Sequence, residues 1–99
     1  MKKHLWRLGM SSLAYRLVPH AVGAHCTSDE LVVSLNDGRV LSVPLAWFPR
    51  LANASPEQLA VFELLGEGDG IHWPDLDEDI SVVGLLEGRP SVEYRGARP

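Results

Sequence analysis

The tripeptide Asn36-Asp37-Gly38 constrains this chain more than any other feature, because it separates two short apolar-rich runs, Leu31–Leu35 and Val40–Val43, and so demands a hairpin. Its length sets the register. A two-residue Asp37-Gly38 turn would place Leu35 opposite Val40 and Val33 opposite Ser42, mixing apolar and polar partners. A three-residue loop with Gly38 left-handed in a bulge sets Leu31 opposite Val43 and Val33 opposite Leu41. The second register keeps one face apolar. It predicts that Leu31, Val33, Leu35, Leu41 and Val43 face a core, while Val32, Ser34, Val40 and Ser42 form the other face.

The surrounding segments supply helices and turns to cover that face. Val18 to Thr27 suits a strand, with Pro19 confining it to an edge. Pro44 closes the second hairpin strand, and Leu45–Leu51 can make about two turns of helix that bring Trp47 or Phe48 onto the sheet. Ser55-Pro56-Glu57-Gln58 has the N-cap, N1 proline and capping-box residues of a helix start, predicting a helix from Pro56 to about Leu65 that stops at Gly66. Ile71 to Pro74 adds one short strand, and Asp75 to Asp79 forms an acidic loop. Asp79 is placed to cap a last helix over Ile80–Leu86, and Arg89 to Pro99 has little to bury. The expected architecture is α+β: a small antiparallel sheet built on the hairpin at 31–43 and packed by two or three short helices. Residues 18–88 form this single domain, with a basic extension at 1–17 and a flexible tail at 89–99.

Ninety-nine residues, 45% of them hydrophobic and 22% charged, can build one core and argue against wholesale disorder. The charge is distributed unevenly. Lys2, Lys3, Arg7 and Arg16 lie in the first seventeen residues with no acid, whereas residues 28–88 set twelve acids against Arg39 and Arg50, a net of −10. An acidic body repels phosphate backbones, so nucleic-acid binding by the domain is disfavoured, although the basic arm could reach phosphates if the domain dimerised. The lone Cys26 fits a reducing compartment, and the N-terminus lacks the continuous apolar run of a signal peptide, so a cytoplasmic protein is expected. Met10 could equally begin the chain. No stretch approaches a membrane span.

Candidate chemistry is sparse. Gly66-Glu67-Gly68-Asp69-Gly70 follows a helix signal, carries two acids and has no lysine, so it reads as a turn and not as a phosphate cradle. His20, His25, Cys26, His72 and Asp75 invite a metal hypothesis, but adjacent strand residues such as His25 and Cys26 point to opposite faces, and no metal or cofactor site is expected. Asp75, Asp77, Glu78 and Asp79 lack the glycine and final glutamate of a calcium loop. No nucleophile sits on a sharp turn beside a base, so the chain reads as a non-enzyme. The enzymatic alternative would use His72 with Asp75 or Asp77 in acid-base work, inside a cleft. The rings of Trp47, Phe48, Phe62 and Trp73 are core material, yet a domain this small rarely hides every large ring. One of them is free to grip a partner. The candidate partner-binding set is Trp47, Phe48, Arg50, His72, Trp73, Asp75, Asp77 and Glu78.

Four motifs together carry a resemblance: Asn36-Asp37-Gly38-Arg39, Val43-Pro44-Leu45-Ala46-Trp47-Phe48-Pro49-Arg50-Leu51, Gly70-Ile71-His72-Trp73-Pro74 and Leu76-Asp77-Glu78-Asp79-Ile80. Over about Asp29 to Ser91 the chain resembles the DUF2442 family of small bacterial proteins. The resemblance implies an α+β fold and supplies no catalytic mechanism. It implies an association with small neighbouring toxin-like proteins, hence antitoxin or regulatory work. Some relatives add a helix-turn-helix domain, for which this chain has no room. The leading expectation is a protein-binding module that masks a small basic protein, with homodimerisation as a further way to cover short sheet edges.

Overall fold

The computed structural model describes residues 18–96; the basic extension expected at 1–17 lies outside the described residues. Strands β1 (Ala21–Cys26), β2 (Glu30–Leu35) and β3 (Val40–Pro44) form an antiparallel sheet in that order. The hairpin has the register that the three-residue loop predicts, with Leu31 opposite Val43 and Val33 opposite Leu41. Leu35 N–H donates to the Arg39 carbonyl at 2.9 Å, and Gly38 takes a φ of 94° that only glycine adopts cheaply. The Asp37 carboxylate accepts from Arg39 N–H at 3.0 Å and Arg39 Nε at 2.8 Å, which locks the loop. Leu31, Val33, Leu35 and Val43 are buried, while Val40 on the opposite face is exposed.

Pro44 can sit in β3 because its missing N–H belongs to an outward position. Hydrogen-bonded and non-hydrogen-bonded pairs alternate along an antiparallel ladder, and the Leu35–Arg39 bond makes Glu30–Pro44 a non-bonded pair. Beyond it, a single 3-10 turn over Leu45–Trp47 and helix α1 (Pro49–Ala52) replace the expected two continuous turns. Phe48 sits between them in a non-helical conformation and turns inward, with 4% of its surface exposed.

Helix α2 (Pro56–Leu59) begins as the sequence predicts. Ser55 Oγ accepts from Gln58 N–H at 3.1 Å, and Gln58 Oε1 accepts from Ser55 N–H at 3.0 Å, closing the capping box. It ends far earlier than expected, at Leu59 and not near Leu65. Trp73 Nε1–H donates to the Leu59 carbonyl at 3.1 Å, and the Phe62 ring lies 5.9 Å from the Trp73 ring. That carbonyl is the acceptor a continuing helix would offer to Glu63, and Val61 is β-branched, a poor helix former. Glu63–Leu65 becomes strand β4 instead, paired with β5 (Gly70–Trp73).

The acidic segment is corrected in the same way. Pro74–Leu76 makes one 3-10 turn, Asp77 adopts a left-handed φ of 50°, and Glu78–Ser81 forms strand β6 against β5. Ile71 faces Ile80 across this ladder and both are buried, so pairing the two strands hides apolar surface that a loop would expose. Helix α3 therefore starts at Val82 and not at Ile80, and Ser81 is its cap, accepting from Gly84 N–H at 2.8 Å. The result is α+β with two three-stranded antiparallel sheets where one was expected.

One core serves both sheets. Leu31, Val33, Leu35, Val43, Leu45, Phe48 and Leu51 meet Ile71, Trp73, Ile80, Val82 and Leu85 in a continuous apolar cluster. Trp73, 1% exposed, is the largest of them, and truncating a buried ring of this kind typically costs roughly 3–5 kcal/mol. At one end the sheets are stitched by Ala21 N–H, which donates to the Gly68 carbonyl at 2.8 Å. The glycine-rich loop is thus the turn the sequence suggests, with a second duty in fastening β4–β5 to β1. Gly68 has a φ of 100°, and a Cβ there would stand 2.3 Å from the Ala21 carbonyl oxygen. Replacing Gly68 with alanine is expected to destabilise the fold by about 2–3 kcal/mol, read as a lowered urea midpoint, whereas Gly38→Asn should cost far less.

Candidate functional site

Two polar clusters and one apolar groove stand out. The first is built around Arg50, which leaves α1 and reaches the end of β6. Its Nε and Nη2 donate to Glu93 Oε1 and Oε2 at 3.1 and 3.0 Å, and its Nη1 donates to the Asp77 carbonyl at 2.7 Å. The Asp77 carboxylate lies 3.7 Å away. Donation to the Glu93 carboxylate, aided by its charge, holds the guanidinium even more firmly protonated than usual. Close by, Glu78 is half-buried, and burial raises its carboxyl above the ordinary range despite the opposing pull of Arg50.

Two residues of the segment expected to be a flexible tail bond to the domain: Glu93 accepts from Arg50, and Ser91 N–H donates to the Trp47 carbonyl at 3.1 Å. The bidentate geometry supplies direction as well as attraction. Both partners are substantially exposed, so solvent screens the pair. Arg50→Ala is expected to speed amide exchange at Ser91 by an order of magnitude or more while leaving the thermal midpoint nearly unchanged, as hydrogen-exchange measurements would reveal.

The second cluster lies on the outer face of the second sheet. His72 of β5 and Asp79 of β6 are directly opposite, and the imidazole Nδ1 contacts Asp79 Oδ1. The Asp79 hydrogen bond raises the His72 pKa above its ordinary 6.5, with smaller help from the Asp79, Glu63 and Asp77 charges and against partial desolvation. His72 therefore pairs with Asp79, and not with Asp75 or Asp77 as an acid-base role was expected to require. The sign of the linkage follows. Because the folded pKa lies above the unfolded one, the pair's stabilisation is complete below about pH 6.5 and disappears as pH rises through the elevated folded value. Asp79→Asn is expected to return the His72 titration, followed by NMR of the imidazole protons, towards 6.5 and to flatten this pH dependence.

The expected partner-binding residues thus divide. Phe48 and Trp73 are interior groups and present no accessible surface. Trp47 is half-buried and its carbonyl accepts from Ser91 N–H, Arg50 is committed to Glu93 and Asp77, and Asp75 is exposed at the 3-10 turn. The fold brings Arg50, Asp77 and Glu78 together, with Glu93 as the member that sequence reasoning missed; its distance of 43 positions from Arg50 leaves no local signal. Among the described residues no three His, Cys, Asp or Glu side chains converge as metal ligands, and no helix is long and apolar enough to cross a membrane.

The groove was not foreseen at all. It encloses about 670 Å3 between the Ala24–Ser28 end of β1 and the α1–α2 segment. Leu45, Leu51, Leu59 and Phe62 give it an apolar floor, and the Cys26 thiol lies on its wall, where burial pushes the thiol pKa up. Only a strand over Val18 to Thr27 is legible in the sequence; the remaining walls come from segments distant in sequence.

With this geometry in view, comparison with known proteins gives one consistent match. A family model described as "Protein of unknown function (DUF2442)" matches residues 21–91. The chain belongs to the DUF2442 family. The match takes in β1, which the four sequence motifs did not reach, and ends at Ser91, where the chain bonds to Trp47. A crystal structure of a protein of unknown function from Rhodospirillum rubrum is 34% identical, with a TM-score of 0.67, covering 80% of this chain and 98% of its own. A solution NMR structure of an uncharacterized protein from Chromobacterium violaceum is 26% identical, also with a TM-score of 0.67, covering 94% of this chain and 86% of its own. Among the curated proteins none matches. Both solved structures are similar to this chain in fold, and none of these matches names a ligand or a reaction.

Proposed function

We propose that this DUF2442 protein is a non-enzymatic binding module that masks a small basic protein, in an antitoxin-like role. The observation that carries the reading is how the charges of the domain are used. Arg39 is tied to Asp37, Arg50 to Glu93 and Asp77, and Arg89 to Glu87. Asp29, Glu30, Glu57, Glu63, Glu67 and Asp75 have no ion-pair partner among the described residues. Three of the four arginines among the described residues are thus consumed internally, Arg95 alone having no such pair, and the unmatched acids outnumber it on the surface of the domain. Such a surface accelerates encounter with a basic partner and repels acidic competitors.

Of the Trp47-Phe48 pair only Trp47 retains surface for a partner, so the aromatic anchor is smaller than the sequence suggests. Purification of the tagged chain from its native host at physiological salt, followed by mass spectrometry, is expected to recover one basic protein in stoichiometric amount. That complex should weaken steeply as salt rises towards about 0.5 M, where the screening length falls below about 5 Å. Recovery of no stoichiometric protein at native abundance would overturn the reading.

A further inference from the structure

We infer that the free edge of β1, together with the apolar groove beneath it, is a strand-docking site for an extended segment of a basic protein in which apolar and basic residues alternate. This rests on the reading of a basic partner and adds where and in what conformation that partner is held.

The edge is read from the ladder. Thr27 N–H donates to the Glu30 carbonyl at 2.8 Å, so Thr27 and Glu30 form a hydrogen-bonded pair. By alternation, His25–Val32 and Gly23–Ser34 are bonded pairs, while Cys26–Leu31 and Ala24–Val33 are not. The hairpin agrees, since the Leu35–Arg39 bond directs the Val33 and Leu31 main-chain groups towards β3. Ala24 and Cys26 therefore present N–H and C=O away from β2, and no described residue bonds to them. At Ala21 the neighbouring sheet covers the edge through Gly68. From Ala24 to Cys26 no described residue covers it.

Natural edges are usually blunted by charge, proline or an inward-pointing lysine. This one carries Ala24, His25 and Cys26, and its bulge lies back at Ala21–Gly23, where the edge is already covered. A strand added alongside would find main-chain partners at Ala24 and Cys26. Every second side chain would then lie over Leu45, Leu51, Leu59 and Phe62. Charge selects the occupant. Lining residues Ser28 and Pro56 are followed in the chain by Asp29 and Glu57, both exposed and without an ion-pair partner among the described residues. Among the described residues no lysine or arginine lines the groove, and Arg50, next to Leu51, is turned away towards Glu93. An acidic rim over an apolar floor fits alternating basic and apolar side chains. It opposes a second copy of this acidic domain.

The test uses the whole chain and an eight-residue synthetic peptide of alternating valine and lysine. Three control peptides accompany it: one of the same composition in block order, one with glutamate for lysine, and one N-methylated at alternate residues. The alternating peptide is expected to shift the amide resonances of Ala24 and Cys26. Binding should fall on the order of tenfold or more for each control. Alkylating Cys26, the single cysteine, with a bulky maleimide should abolish it. Ala24→Pro removes an outward N–H without breaking the β1–β2 ladder and should weaken it similarly. Equal binding of the block peptide, or shifts confined to the Trp47 and Arg50 region, would overturn the edge site while leaving the basic-partner reading intact. So would a dimer by light scattering whose Ala24 and Cys26 amides are already protected from exchange. If no basic peptide binds but a basic protein co-purifies and still binds the alkylated chain, the edge site is likewise excluded and the partner reading survives. Absence of both peptide binding and a co-purifying protein removes both.

Discussion

The indole of Trp73 is the interaction on which the rest of the structure depends. It is held inside the core by its place in β5, and its N–H reaches the Leu59 carbonyl while its ring rests beside Phe62. A buried indole donor without a partner would cost about 1–3 kcal/mol, and the end of α2 provides one. The chain leaves the helix at Leu59, its carbonyl goes to the indole and not to the N–H of Glu63, and Glu63–Leu65 pairs with β5. One hydrogen bond thus links the stop of a helix to the start of a second sheet.

The groove is a consequence of the same arrangement. Ending α2 at Leu59 puts Leu59 and Phe62 on the groove floor facing β1, and the second sheet is fastened to the first through Ala21 and Gly68. That main-chain link lies at the start of β1, and the groove lies along its other end. An uninterrupted helix to Leu65 would have placed those residues on successive turns and left no second sheet to fasten. The apolar floor, the open main-chain edge and the acidic neighbours are therefore outcomes of how the chain is diverted around one tryptophan.

The polar clusters have a different logic. His72–Asp79 and Arg50–Glu93 are solvated pairs that tie exposed elements together, one across a two-strand ladder and one across the ends of the domain. Their energies are modest, because water competes for every partner. Their effect is on local order and on the pH at which that order is kept. Together with the internal pairing of Arg39 and Arg89, they leave an outer field set by carboxylates.

Much was legible from residues close in sequence. Asn36-Asp37-Gly38 determined the hairpin register, because a glycine at positive φ and an unbroken apolar face admit one loop length. Ser55-Pro56-Glu57-Gln58 determined a helix start, because cap and box are completed within four residues. What the sequence could not decide was where that helix stops, which of Trp47 and Phe48 turns inward, or that the acidic segment becomes a strand. Each depends on a partner far along the chain: Trp73 for Leu59, the shared core for Phe48, Ile71 for Ile80. Local signals are written in side chains within a turn of one another. The second sheet, the Arg50–Glu93 clamp and the β1 groove exist only once distant segments compete for the same buried surface and the same hydrogen-bonding groups.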